Sequence, residues 1–339
     1  MNFENTYRDA KDVAVIRTDR IGDMILTLPM CSGIKEVLPN CRLSLVASKY
    51  VEPILYNCPV IDNIVFVEDF DQDFKTIYTK IHPEVAFFPR PKFMEVYWAY
   101  KTAVKVRIGS AYRWYSFLFT HKVKDHRKIA KFNEAKYNLR MVEDYFRRPL
   151  ELKYVKIIVK PEAEKKVREI LDTLGIPAYK FIILHPGSGG SSINWPIFRF
   201  GELAQLLLQN NFKVIITGTS QETSLAFAIQ DLAPDVINLC GRLDLYETIA
   251  LVSLACGVVA NSTGILHIAS VLEIPTVGLF PNTPHLSAKR WGPIGPFSSS
   301  LSPPAINPDQ FDEMNLISPE IVFKELQAQI KRKEASQRF

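Results

Sequence analysis

Phe181-Ile182-Ile183-Leu184-His185-Pro186-Gly187-Ser188-Gly189-Gly190-Ser191-Ser192 is the stretch from which the fold can be read. Four apolar residues in a row, two of them β-branched, form the pattern of a strand covered on both faces. A loop of Gly and Ser follows, and Pro196 opens a helix to about Gln209. The alternation continues with strands at Lys213–Thr217, Val236–Leu239, Gly257–Ala260 and Thr276–Phe280. Helices at Gln221–Ile229, Leu245–Leu254 and Gly264–Leu272 separate them, and Asp244 with Glu247 has capping-box spacing. Strands separated by helices of this length pair in parallel, which predicts a doubly wound α/β domain.

The pattern recurs upstream. Val13–Ile16 reads as a strand, Arg17–Gly22 as a polar turn, and Asp23–Val37 as a helix stopped by Pro39-Asn40. Strands follow at Arg42–Ala47, Asn63–Val67, Glu84–Phe88 and Val106–Gly109, with helices at Val51–Tyr56 and Met94–Val104. Tyr137–Phe146 is helical, Tyr154–Val159 has the look of a strand, and Pro161–Leu174 is a helix with Gly175 past its end. Phe297–Pro308 shows neither pattern, and Ser318-Pro319-Glu320 caps a last helix to about Arg332. Two Rossmann-like domains are therefore expected, 1–160 and 161–339. They would face a cleft in which ligands sit outside the carboxyl ends of the strands.

The chain has 339 residues, 47% hydrophobic and 23% charged, enough for two cores without disulfides or structural metals. A net charge of +5 suits an anionic substrate or membrane surface and is low for a nucleic-acid binder. The cysteines, Cys31, Cys41, Cys58, Cys240 and Cys256, are odd in number and lack CxxC spacing. They read as reduced thiols in a cytoplasmic protein, without a zinc site. The start Met1-Asn2-Phe3-Glu4 is not a signal peptide. The longest weakly polar run, Ile249–Ala260, is too short to cross a bilayer.

The informative residues fall just after strands. In Arg17-Thr18-Asp19-Arg20-Ile21-Gly22-Asp23, the carboxylate of Asp23 would lie in the first turn of a helix. Nearby free N–H groups there favour its charged form, which suits a general base. The plain alternative is that Asp23 only caps the helix. His185–Ser192 is a donor-rich loop that can cradle a phosphate, or an ordinary surface loop; it lacks the Lys of a Walker loop. In Asn261-Ser262-Thr263-Gly264-Ile265-Leu266-His267, the hydroxyls, the helix N-terminus and His267 can hold phosphate oxygens, while His267 alone reads equally as a structural residue. Arg290-Trp291-Gly292-Pro293 is either a cleft rim or a rigid turn with Trp291 plugging the core. Tyr97, Trp98, Arg107, Arg113 and Trp114 precede a basic run from His121 to Lys136 that holds six Lys/Arg and two Asp/Glu. This is a docking surface for an acidic, lipid-linked acceptor or leaflet, or merely a solvated face.

These motifs resemble glycosyltransferase family 9, the ADP-heptose:lipopolysaccharide heptosyltransferases, over about Val13 to Val322. The resemblance rests on Arg17–Asp23 followed by Leu26-Thr27-Leu28-Pro29, on His185-Pro186-Gly187, and on Trp195-Pro196 with Phe200 and Leu203-Ala204. Val214–Gly218, Leu239-Cys240-Gly241 and Asn261–His267 with Ile268-Ala269 complete it. It implies a GT-B fold and an inverting sugar transfer without a tightly held metal or other cofactor. The N-terminal domain would bind an anionic glycan acceptor and the C-terminal domain a nucleotide-sugar, with ADP-heptose the first expectation. Asp23 matches the family's general base, and Ser188, Thr263, Gly264 and His267 match donor-phosphate positions. Gly189 and Ser262 are expected to join the donor site, and Arg20, Arg107 and Arg113 the acceptor site.

The chain departs from the family at three places. Ile193 stands where a Lys is usual, two residues before Trp195; Ser262 stands where an Asp is usual; and Asn133-Glu134 replaces a His-Glu pair. An Arg or Lys elsewhere, such as Arg199 or Lys289, could supply the missing cation. A different nucleotide-sugar, an epimerase-like reaction and a non-catalytic nucleotide-sugar binder are the competing readings. A dehydrogenase is disfavoured by the lack of GxGxxG.

Overall fold

The computed structural model describes residues 9–304 and 313–337. The chain forms two compact units, Met1–Val155 and Lys156–Phe339.

The first unit holds β1 (Asp12–Arg17), β2 (Arg42–Ala47), β3 (Asn63–Phe66), β4 (Val85–Phe87), β5 (Val106–Ser110) and β6 (His121–Val123). They form one sheet in the order β3-β2-β1-β4-β5-β6, with every pairing parallel. The second unit holds β7 (Phe181–His185), β8 (Lys213–Ile216), β9 (Ile237–Asn238), β10 (Gly257–Asn261), β11 (Thr276–Leu279) and β12 (Ser298–Leu301). Their order is β12-β11-β10-β7-β8-β9, again all parallel. In each sheet the strand order reverses beside the first strand, between β1 and β4 and between β7 and β10. Loops leave such a switch point in opposite directions and open a crevice at the carboxyl ends of the strands. The loops after β1, β7 and β10 carry the three motifs singled out above. Strands β7 and β10 are buried along their whole length, which accounts for their unbroken apolar character.

Four expectations need correction. The single helix Asp23–Val37 is two, Ile21–Ile25 and Leu28–Val37. Pro29 has no N–H for the carbonyl of Ile25, and its ring crowds that carbonyl. Met30 N turns to Thr27 O, so the carbonyl of Leu26 is open at the break and accepts from Asn138 Nδ2 at 3.0 Å, and Thr27 Oγ1 donates to Asp23 O at 2.8 Å. A helix at Phe74–Ile81 was not anticipated, although Phe74, Ile77, Tyr78 and Ile81 form a buried i, i+3, i+4, i+7 stripe behind an Asp73 cap. Tyr154–Val159 alternates as a strand does, with Val155 and Ile157 buried, but it pairs with no strand among the described residues. Within Phe297–Pro308, Ser298–Leu301 is a parallel edge strand on β11. Its run of serines hides it, because a half-buried edge does not demand β-branched residues. Residues 305–308 of that segment, like Met1–Glu4, lie outside the described residues.

All five cysteines are free thiols. No helix among the described residues is long and apolar enough to cross a membrane.

Candidate active site

In the first unit the cluster begins at Arg17, the buried last residue of β1. Its guanidinium lies 3.1 Å from Asp19 Oδ2 through Nε and donates to Asp23 Oδ1 through Nη2. The loop after β4 adds Arg90 and Lys92, at 3.3 and 3.9 Å from Asp19 Oδ1. The charges therefore converge on the switch point from both of its sides. A buried cation held by two carboxylates fixes both of them, since removing either would leave charge uncompensated.

Asp23 lies in the first turn of Ile21–Ile25 but does not cap it; Arg20 is the N-cap residue, without a capping side-chain bond. Burial pushes the Asp23 carboxyl above its ordinary range; Arg17 opposes this and Asp19 reinforces it. The sequence reading expected the helix end to favour the charged form. A helix of five residues offers little dipole, and desolvation wins. The result is a carboxylate with raised proton affinity, a property of general bases. Glu95, unremarked in the sequence, is buried behind it. Its Oε1 accepts from Thr18 Oγ1 at 2.7 Å and its Oε2 from Lys92 N at 3.0 Å. Burial pushes its pKa up to about 7 against those bonds. The Lys92–Glu95 spacing at a helix start was the available signal.

The arginines expected to meet an acceptor separate. Arg20 is exposed on the Asp23 loop, and Arg113 is exposed on the loop after β5, at the same sheet edge. Arg107 sits near the amino end of β5, away from that edge. Its Nε donates to Leu118 O at 2.7 Å and its Nη1 to Val104 O, so it braces the backbone. Arg127 of the basic run is likewise committed, to Glu134 and to Asn138 Oδ1 at 2.9 Å. Asn133 caps the helix Glu134–Phe146 through Ala135 N.

In the second unit Asn261, fully buried at the end of β10, joins the two switch-point loops. Its Oδ1 accepts from Trp195 N at 2.9 Å and its Nδ2 donates to Pro186 O at 2.6 Å. The Ser191 hydroxyl lies 2.7 Å from Ser188 O and 3.0 Å from Ser262 O, a second link. Gly189 and Gly190 turn the loop with φ of +53° and +73°, a region in which other side chains are strained. Thr263 is the N-cap of Gly264–Val271, yet its side chain makes no capping bond. Ser188 Oγ and His267 Nδ1 are buried with no hydrogen-bond partner among the described residues. Buried polar atoms are almost always paired, so two orphans on one crevice are the pattern of a site that a ligand completes. Burial pushes His267 down to about 4, so the ring is neutral near pH 7. His185 is also pushed down to about 4 by burial and lies 2.9 Å from Thr217 Oγ1.

Glu222 was also missed. Its carboxylate packs so closely on Gly187 that a Cβ there would overlap it. Arg199 does not replace the missing Lys, because its guanidinium is held by Glu202 at 2.9 Å and Asn315 at 3.0 Å. Lys289 is exposed on the short helix Ala288–Trp291. Trp291 is half-buried over Arg290 and donates to His285 O, so it is not a core plug.

Two parallel sheets of Rossmann order, each with its motif loops at the switch point, define a two-unit α/β protein, and the family match makes its class that of the glycosyltransferases. Residues 99–309 match the family model of glycosyltransferase family 9 (heptosyltransferase), and the chain belongs to that family. A Haemophilus influenzae protein provisionally named a glycosyltransferase is 29% identical over 329 residues, covering 90% of this chain and 93% of that one. A family 9 glycosyltransferase structure from Veillonella parvula superposes with a TM-score of 0.82 at 17% identity, covering 97% of this chain and 99% of that one. The Escherichia coli ADP-heptose lipopolysaccharide heptosyltransferase II gives 0.78 at 18% identity, with coverage of 95% and 99%.

Proposed function

We propose that the protein is an inverting GT-B glycosyltransferase. It moves a sugar, heptose first among candidates, from a nucleotide-sugar to a hydroxyl of a lipopolysaccharide or related surface glycan in the cytoplasm. The observation that carries this reading is Asp23, a carboxylate of raised proton affinity held by Arg17 at the switch point of the first unit.

The reaction is one displacement. Asp23 takes the proton of the acceptor hydroxyl, whose oxygen attacks the anomeric carbon on the face opposite the nucleotide. The bond from that carbon to the phosphate oxygen breaks, and the diphosphate leaves with the electron pair. Backbone N–H groups of Gly189 and Gly264, the hydroxyls of Ser188, Ser262 and Thr263, and the imidazole of His267 stabilise the leaving charge. Neutral His267 donates one hydrogen bond, and an arriving diphosphate raises its proton affinity. Arg20 and Arg113 attract an anionic acceptor. The nucleotide-sugar is consumed as substrate, and no step uses a resident cofactor.

Calorimetric titration with ADP, GDP, UDP and dTDP, and then with their sugars, tests the donor. ADP preference strengthened by ADP-heptose supports the reading. Another preferred nucleotide moves the reaction to another sugar. That second reading is favoured by Ile193, exposed where the resemblance calls for a Lys, with Arg199 committed elsewhere. Turnover by Asp23→Asn at the wild-type rate overturns the mechanism.

A further inference from the structure

We propose that the loops after β5 and β6 form a docking surface for an anionic lipid bilayer, with Trp114 and Phe117 entering the interface and the neighbouring cations contacting lipid headgroups. This extends the proposed reaction by giving its partner surface, and rests on that reading only for its functional purpose.

Trp114 is 73% exposed, and Phe117 and Ile129 are each 68% exposed. Large apolar side chains at that exposure, within one short stretch, mark a surface that meets something apolar. Trp114 and the neighbouring Tyr112 and Tyr115 are held in place. Trp114 stacks on Phe93 with ring centroids 4.9 Å apart, and Tyr115 Oη donates to Pro91 O at 2.7 Å. Tyr112 Oη donates to Lys124 O at 3.3 Å, joining the two loops. A rigid lip of this kind loses little conformational entropy when it enters an interface.

Charge decides the occupant. From Tyr112 to Lys131 there are six Lys or Arg and one acid, Asp125. Asp125 is held by Arg140 at 2.9 and 3.0 Å, and Arg127 by Glu134. Arg113, Lys122, Lys124, Lys128 and Lys131 form no ion pair among the described residues, and all are exposed. Five unopposed cations repel a second copy of the same patch. Nucleic acid is disfavoured by the chain's net charge of only +5, low for a nucleic-acid binder. Tryptophan and tyrosine beside lysine are the composition of a membrane–water interface, and each cation near an anionic leaflet tightens binding roughly fivefold.

Position also agrees. The two loops leave the carboxyl ends of β5 and β6, the same sheet edge that carries Asp23 after β1, and Trp114 is packed on Phe93 of the segment that follows β4, before the first loop crosses back to β6. Pro91, on which Tyr115 is anchored, lies between Arg90 and Lys92, the cations of the Asp19 cluster. A lipid-anchored acceptor would thus be met on the edge of the unit that bears the base.

The test is co-sedimentation of the full chain with vesicles of phosphatidylglycerol and phosphatidylethanolamine, against vesicles of phosphatidylcholine alone. Tryptophan emission is recorded in both. Binding to the anionic vesicles only, weakened by salt and accompanied by a blue shift, is expected. The pair Trp114→Ser, Phe117→Ser should abolish the shift, and the pair Lys124→Glu, Lys128→Glu should weaken binding at least tenfold. Both variants should keep the wild-type circular-dichroism spectrum and the melting transition of the first unit, which carries all four positions, and this shows that they fold. Equal binding to both vesicles, binding to neither, or wild-type vesicle affinity in both variants overturns the proposal. So does capture by heparin without a blue shift on vesicles. Sugar transfer to a soluble acceptor without vesicle binding would overturn this inference alone and leave the proposed reaction standing.

Discussion

Replacing Asn261 by Ala should detach the donor loop and measurably destabilise the second unit. The side chain satisfies two buried backbone groups at once, the N–H of Trp195 and the carbonyl of Pro186. Alanine leaves both without a partner, at about 1–3 kcal/mol each, so a loss of roughly 4 kcal/mol is expected. A unit the length of Lys156–Phe339 shifts its midpoint by roughly 2–4 °C per kcal/mol, which places its transition roughly 8–16 °C lower. Scanning calorimetry reads this directly. Nucleotide titration of the same variant should show weakened binding, because the loop holding Ser188 and Gly189 loses its buried tie to β10 and keeps only the Ser191–Ser262 link. Asn261→Asp sharpens the test. It keeps the acceptor for Trp195 but sets an oxygen against the carbonyl of Pro186 at 2.6 Å, so it should be at least as damaging. A midpoint within about 2 °C of wild type, together with unchanged nucleotide affinity, would refute the view that this side chain builds the site.

Asp23→Asn should lower turnover by about 10²–10⁴-fold while leaving ADP binding nearly intact, and wild-type activity should fall with acidity as the raised carboxyl protonates, both read by steady-state kinetics. Glu95, at about 7 in the fold against an ordinary 4.5, contributes stability that is fully present below pH 4.5 and lost as pH rises through 7, about 3 kcal/mol in all. Glu95→Gln should flatten the first unit's melting temperature over that window, and an unchanged slope would count against it. His267 behaves oppositely. Its depressed value of about 4, against 6.5, makes a contribution present above pH 6.5 and lost as pH falls through 4, so His267→Asn should make the second unit less acid-sensitive in circular-dichroism melts. Gly295→Ala should lower the denaturant midpoint by the equivalent of about 1–3 kcal/mol, since a Cβ there would overlap the backbone carbonyl of Ser270, which cannot swing aside.

The sequence by itself determined the βα alternation, the parallel pairing and the placement of three motif loops after β1, β7 and β10. These are local matters: apolar runs demand two covered faces, and Gly, Pro and hydroxyl residues mark where strands end. It also pointed to the capping box at Asp244 and Glu247, which the structure contains. Tertiary structure alone decided which groups the site recruits and their proton affinities. Asp19, in the loop after β1, and Arg90, Lys92 and Glu95, in the loop and helix start after β4, lie far apart in the chain, and only the β1–β4 neighbourhood makes them one network. Arg107 and Arg127 read as free cations in the sequence, because a string of residues does not say which carbonyl or carboxylate will meet them. At the helix break beside Pro29, the carbonyl of Leu26 is satisfied by Asn138, from more than a hundred residues away. Asp23 was expected to favour its charge from a helix end; burial, which a sequence cannot weigh, set the opposite direction. Local pattern fixes where a side chain leaves the backbone, whereas desolvation and charge partners depend on what the rest of the fold brings to within a few ångströms.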